Sequence, residues 1–126
     1  MNEYMFFIRK RNEESLPPEK FEKFLNECEI YIENLKSQGV LISAQPVDWD
    51  GRIISGKKDK WKESPYNESD EVIAGYYHLL ANDIDEATEI AKTNPEFTYF
   101  KNTRIEVRPV KMKEDQTGFV YPSESV

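Results

Sequence analysis

The stretch Val72-Ile73-Ala74-Gly75-Tyr76-Tyr77-His78-Leu79-Leu80-Ala81, followed at once by Asn82-Asp83-Ile84-Asp85-Glu86-Ala87, decides the fold. Its first ten residues are apolar or aromatic at odd and even positions alike, as in a strand covered on both faces. Asp83 with Glu86 three residues on then forms a capping-box-like start to a helix. Ile84, Ala87, Ile90 and Ala91 supply its apolar stripe, and Asn94-Pro95 ends it.

Working outward, Tyr4-Met5-Phe6-Phe7-Ile8 reads as a second strand apolar on both faces. A polar loop from Arg9 to Leu16 reaches Pro17-Pro18, and a helix is expected to begin near Pro18. Phe21, Phe24, Leu25, Cys28, Ile32 and Leu35 recur at helical spacing, and Gly39 stands where a C′ residue would. Val40 to Val47 reads as a strand whose Pro46 argues for an edge position. Asp50-Gly51 suggests a tight hairpin between Val47-Asp48-Trp49 and Arg52-Ile53-Ile54. Gly56 to Asp70 reads as a long polar loop, and Arg104 to Arg108 alternates as a half-exposed strand. The order is strand–helix–strand, a hairpin excursion, then strand–helix–strand. This is α+β, a ferredoxin-like βαβ-β-hairpin-βαβ arrangement with an antiparallel sheet. Residues 1–110 make the domain, and 111–126 a polar tail, disordered or laid across a partner.

In that arrangement the first strand and the Val72–Ala81 strand lie at the centre, with both helices on one side. The uncovered face is most simply covered by a second copy, so a homodimer is expected.

Composition narrows the classes. The 126 residues carry a formal net charge of −7 with 13% aromatics. An acidic chain without a large basic cluster argues against nucleic-acid binding; Lys57-Lys58-Asp59-Lys60-Trp61-Lys62 reads as a solvated loop, with an anion or partner contact as its alternative. The lone Cys28 fits a reducing, cytoplasmic setting, with no signal peptide and no membrane segment expected.

His78, the only histidine, is the candidate catalytic residue, an imidazole suited to general acid–base work beside a carboxylate. The plain alternative is an interior or interface histidine satisfied by hydrogen bonds. Tyr76, Tyr77, Trp49, Tyr66 and Arg108 are candidate ligand-binding residues, weighed against core packing for the rings and surface solubility for Arg108, which shares a strand face with Arg104. Asp48, Asp50, Asp59, Glu63, Glu68, Asp70 and Glu71 crowd the excursion as solvated acids or a partly buried base. No spacing suits a metal or a phosphate cofactor, and none is expected. Three functions stay open: an aromatic-lined pocket for a small organic ligand, a small acid–base enzyme using His78, and a regulatory interaction module.

Gly75-Tyr76-Tyr77, Asp83, Asp85-Glu86-Ala87, Ala91, Pro95 and Glu106-Val107-Arg108-Pro109-Val110 together resemble the YCII-related proteins, over roughly residues 4 to 110. The resemblance is closest to the branch named for an Asp-Gly-Pro-Phe motif, where this chain reads Glu63-Ser64-Pro65-Tyr66. It implies the dimeric α+β barrel superfamily, whose members include isomerases, dehalogenases and cofactor-free monooxygenases. Some relatives carry a His near the first loop, paired with an Asp as an acid–base dyad. Arg9 to Glu19 contains no His, so that dyad is not carried over.

Overall fold

A computed structural model describes residues 1–11, 15–66 and 70–123. Glu68, grouped above with the loop acids, lies outside them, as do residues 12–14 of the first loop and 124–126 of the tail. Strand β1 (Asn2–Arg11) leads into α1 (Pro18–Ser37) and β2 (Leu41–Pro46). A ribbon of β3 (Arg52–Lys57) and β4 (Lys60–Pro65) follows, then β5 (Glu71–Ala81). Helices α2 (Ile84–Lys92) and α3 (Glu96–Tyr99) precede β6 (Arg104–Pro109). The main sheet has the order β2-β5-β1-β6 and is antiparallel throughout, so β1 and β5 are the central pair. The chain is α+β with a ferredoxin-like order of elements.

Both helices cover one face of the sheet. Tyr4, Phe6 and Ile8 of β1 meet Tyr77, Leu79 and Ala81 of β5, and Leu35, Ala87 and Ala91 close over them. Phe6 and Leu79 are wholly buried, each stabilising the fold by about 1.5–3 kcal/mol. Tyr31 ties the two helices together: its ring meets Tyr77 edge-on at 5.7 Å and its hydroxyl donates to the Ile90 carbonyl at 2.7 Å. Asp83 Oδ1 accepts from the Glu86 N–H at 2.8 Å, while Glu86 reaches back to the Asn82 N–H at 3.2 Å. The box therefore closes one residue ahead of the cap.

Strict alternation fails within β5. Gly75 pairs with Ile8 and Ile73 with Arg9, so Ala74 is an extra residue at a bulge. Below it the parity switches, and Val72 joins Gly75, Tyr77 and Leu79 on the helix side while Ile73 follows Tyr76 to the other. Part of the strand's apolar reading at both odd and even positions comes from this switch. Gly75 also lets the neighbouring strand approach, since a Cβ there would lie 3.0 Å from the Gln45 carbonyl oxygen.

The excursion differs from its expected form. No turn forms at Asp50-Gly51: Val47-Asp48-Trp49 lies beyond the end of β2 and is not a strand, and β3 pairs forward with β4 instead. The hairpin lies further on, turning at Lys58-Asp59 with Asp59 at φ 70°. Six of the fifteen residues read as a loop are thus strand β4, and Gly56 and Lys57 close β3. Helix α3 is also additional: Asn94-Pro95 ends one helix and starts the next, with the Glu96 N–H donating to Asn94 Oδ1 at 2.9 Å. The tail folds on its own chain. Lys113 and Val120 form a bridge, and Ser123 Oγ donates to Glu3 Oε2 at 3.0 Å.

At one end of the sheet Glu71 joins three elements. It accepts from Arg9 Nε at 2.8 Å and from Arg104 Nη2 at 2.6 Å, and Arg9 also pairs with Glu106. The Arg104 guanidinium, with Arg9 behind it, holds the Glu71 carboxyl down to about 2. A lowered folded-state pKa contributes stability above the ordinary value, here 4.5, and loses it as pH falls towards about 2. Glu71→Gln is accordingly expected to lower the thermal midpoint at neutral pH. The gap from the unsubstituted protein should close as the pH is brought down through that window; a gap constant with pH would refute the assignment.

Candidate functional site

The stripe of α1 is unevenly covered: Phe24 is buried, packed edge-on against Tyr99 and Phe100. Leu35 is buried, but Phe21 and Leu25 are 44% and 42% exposed, because the N-terminal half of α1 stands off the β2–β5 edge. A cavity of about 280 Å³ lies beneath it, walled by Ile8, Phe24, Cys28, Ile32, Ala44 and Tyr77. It adjoins a wider cleft that reaches Lys10, Trp49 and Phe100, with Phe24, Leu25, Pro46, Ala74 and Glu96 common to both.

The polar equipment of this cleft comes from the end of β1 and the start of α3. Lys10 continues the buried series Tyr4, Phe6, Ile8, so its chain runs inward. Its ammonium lies 3.1 Å from Glu96 Oε1 and 3.6 Å from the Phe100 ring centroid, with the Phe24 ring at 5.1 Å. Both side chains are largely buried, at 10% and 14% exposure. Burial raises the Glu96 pKa, and the nearby Lys10 ammonium opposes the shift. Oε1 faces the Lys10 ammonium, and a carboxylate oxygen can accept a second donor beside it. Burial likewise pushes the Cys28 thiol up to about 12, helped by Glu96, and pushes Tyr77 upward as well. Cys28 is therefore a neutral thiol near pH 7, unsuited to nucleophilic attack.

The candidate residues separate onto two faces. Tyr77 and Trp49 belong to the helix-side cleft. His78, Tyr76 and Arg108 project from the open face, although Tyr76 also borders the hollow. His78 Nε2 lies 2.6 Å from Glu3 Oε1, and the Glu3 side chain is only 6% exposed. Tyr76 meets Ser43 Oγ at 3.2 Å, while Arg108 stays largely in solvent, 3.9 Å from Glu106. Tyr66 braces the base of the ribbon: its hydroxyl accepts from the Ile73 N–H at 2.9 Å and its N–H donates to the Gly51 carbonyl at 3.0 Å.

Glu3, Lys10 and Glu96 were not among the sequence candidates. The first two lay just beyond the assumed ends of β1; extending its alternation by one residue back and two forward places Glu3 with Met5 and Phe7, and Lys10 with Ile8. Glu96 follows Asn94-Pro95 and carries no local signal. Among the described residues no group of three His, Cys, Asp or Glu side chains converges as a metal site would, and no helix is long and apolar enough to cross a membrane.

The model of the YCII-related domain matches residues 3–113. The chain belongs to the YCII-related domain family. No curated protein matches it. The match ends in the tail, so it takes in both polar pairs, the cleft and the ribbon.

Lys10→Met should strand Glu96 and cost about 2 kcal/mol of stability. In the pair Lys10→Met/Glu96→Met, denaturant unfolding should recover most of that loss, since neither charge is then left buried. Equal destabilisation in the single and the double variant would show that the ion pair carries no weight.

Proposed function

We propose that this YCII-related domain binds a small organic molecule in the cleft between α1 and the β2–β5 edge. One observation carries the reading: α1 leaves Phe21 and Leu25 uncovered over a ring-lined hollow bordered by the buried Lys10–Glu96 pair. A hollow of about 280 Å³ is near the lower end of the usual range for ligand pockets, roughly 300–1,000 Å³. Apolar walls with few convergent polar groups suit a molecule carrying one ring or a short alkyl body. Trp49 stands at the mouth and Tyr77 at the floor. Tyr66 acts through the ribbon base, and Tyr76 and Arg108 belong to the other face.

The domain works as a homodimer in this reading. Met5, Phe7, Tyr76 and Leu80 form the apolar centre of the face that the helices leave open, and a second copy of that face is its simplest cover. Phe7→Glu should yield a folded monomer by light scattering at micromolar concentration. A monomeric unsubstituted protein would remove the dimer from the proposal.

A second reading is supported by the His78–Glu3 contact at 2.6 Å. A buried carboxylate holding one imidazole nitrogen leaves the other free to move a proton on a bound acid, lactone or phenol. His78→Ala that abolishes turnover without loss of fold, with Glu3→Gln slowing it, would favour an acid–base enzyme.

Indole, phenylacetate and phenethylamine, each at millimolar concentration, test the cleft with neutral, anionic and cationic probes. At least one is expected to shift the amide resonances of Cys28 and Tyr77. Cys28→Phe should fill the hollow, leave the fold intact and weaken that probe at least tenfold. Absence of any shift with all three would overturn the binding reading.

A further inference from the structure

The β3–β4 ribbon stands apart from the core. All six residues of β3 are exposed, and Ser64 alone in β4 is partly covered. A two-stranded hairpin is marginal in water without a surface to pack against. This one nevertheless presents Ile54, 66% exposed, and Trp61, 64% exposed. Cross-strand pairing of Gly56 with Trp61 and Ile54 with Glu63 puts both side chains on the same side of the ribbon. Among the described residues the base is the part anchored to the body, through Tyr66.

The charge of the ribbon is opposite to that of the molecule. Residues 52–65 hold Arg52, Lys57, Lys58, Lys60 and Lys62 against Asp59 and Glu63, a net of three positive in a chain of −7. The other residues therefore carry −10. Lys57, Lys58, Lys60 and Lys62 crowd the tip, while Arg52 pairs with Glu63 near the base at 3.3 Å. Apolar side chains held away from the core, beside a basic tip on an acidic protein, match the acidic surface of another molecule of the same chain.

We propose that the ribbon is an arm that grips a second copy, with Ile54 and Trp61 buried against it and the lysine tip set over its acidic surface. This rests on self-association of the chain, but not on the open sheet faces being the surfaces that meet. The arm would orient the two copies and lend the pair a salt-dependent part of its affinity.

Sedimentation equilibrium on the full chain tests it with two variants, K57E/K58E/K60E/K62E and I54S/W61S. Both should keep the far-ultraviolet circular dichroism of the parent, since the ribbon lies outside the core. Each should raise the dimer dissociation constant at least tenfold. Association of the parent should weaken between about 50 and about 500 mM salt, and that dependence should vanish on charge reversal. Variants that associate as tightly as the parent would overturn the arm while leaving the sheet-face dimer in place. A monomeric parent would overturn both. Binding of a single-stranded oligonucleotide that charge reversal abolishes, with self-association unmoved, would assign the ribbon to nucleic acid instead.

Discussion

Everything in this fold follows from the need to cover two central strands twice. Phe6 and Leu79 point under the helices, while Phe7 and Leu80, their immediate neighbours, point the other way. A strand of this kind cannot sit at an edge or face water broadly on one side. The antiparallel order β2-β5-β1-β6 answers the first demand by flanking the pair with shorter, more polar strands. The helix layer answers half of the second. The remaining half is a face with an apolar centre, bounded at one end by the Arg9–Glu71–Arg104 lattice and at the other by His78, Glu3 and the returning tail.

The helix layer is itself incomplete, and the gap has a structural cause. Leu35 is held down at the C-terminal end of α1, close to the tight turn at Gly39 and Val40. Towards its N-terminus the helix meets Tyr99 and Phe100, whose rings stand edge-on to Phe24 at 5.4 and 5.2 Å. These rings fill the space that the stripe of α1 would otherwise have closed on the sheet, and the hollow is what remains beside them. The Lys10 ammonium packs against the Phe24 and Phe100 rings, so the charged pair and the apolar wall are parts of one arrangement. That combination is stable only because Lys10 compensates Glu96; each alone would be a buried charge.

Much of this was legible in the residues. The central pair, the two long helices, the cap at Asp83 and the edge position of Pro46 follow from local patterns that long-range packing does not disturb. The ribbon was misplaced because Asp50-Gly51 is a good turn pair, but Val47-Asp48-Trp49 before it forms no strand and Arg52–Lys57 pairs forward with Lys60–Pro65. Lys10 and Glu96 escaped notice for a related reason. A charged residue at the end of a strand reads as the start of a loop, and only its ion partner, eighty-six positions away, makes burial tolerable. His78 was visible as a lone imidazole, but its carboxylate was not, since Glu3 belongs to another strand seventy-five residues distant.

The bulge at Ala74 connects these features. An inserted residue in a central strand disturbs the ladder and is retained where it re-aims neighbouring side chains. Here it returns Val72 to the helix side, where it faces Lys10 across the pair, and keeps Ile73 beside Arg9 on the open face. Without the switch, Ile73 would point beneath the helices and Val72 would take its place outside. Ala74 itself lies on the wall common to the hollow and the outer cleft, and its carbonyl accepts from the Val47 N–H at 2.9 Å. That bond steers the chain after Pro46 over the cleft and sets Trp49 at its mouth. A single extra residue thus decides which of Val72 and Ile73 faces Lys10 beneath the helices, and it shapes the entrance to the hollow.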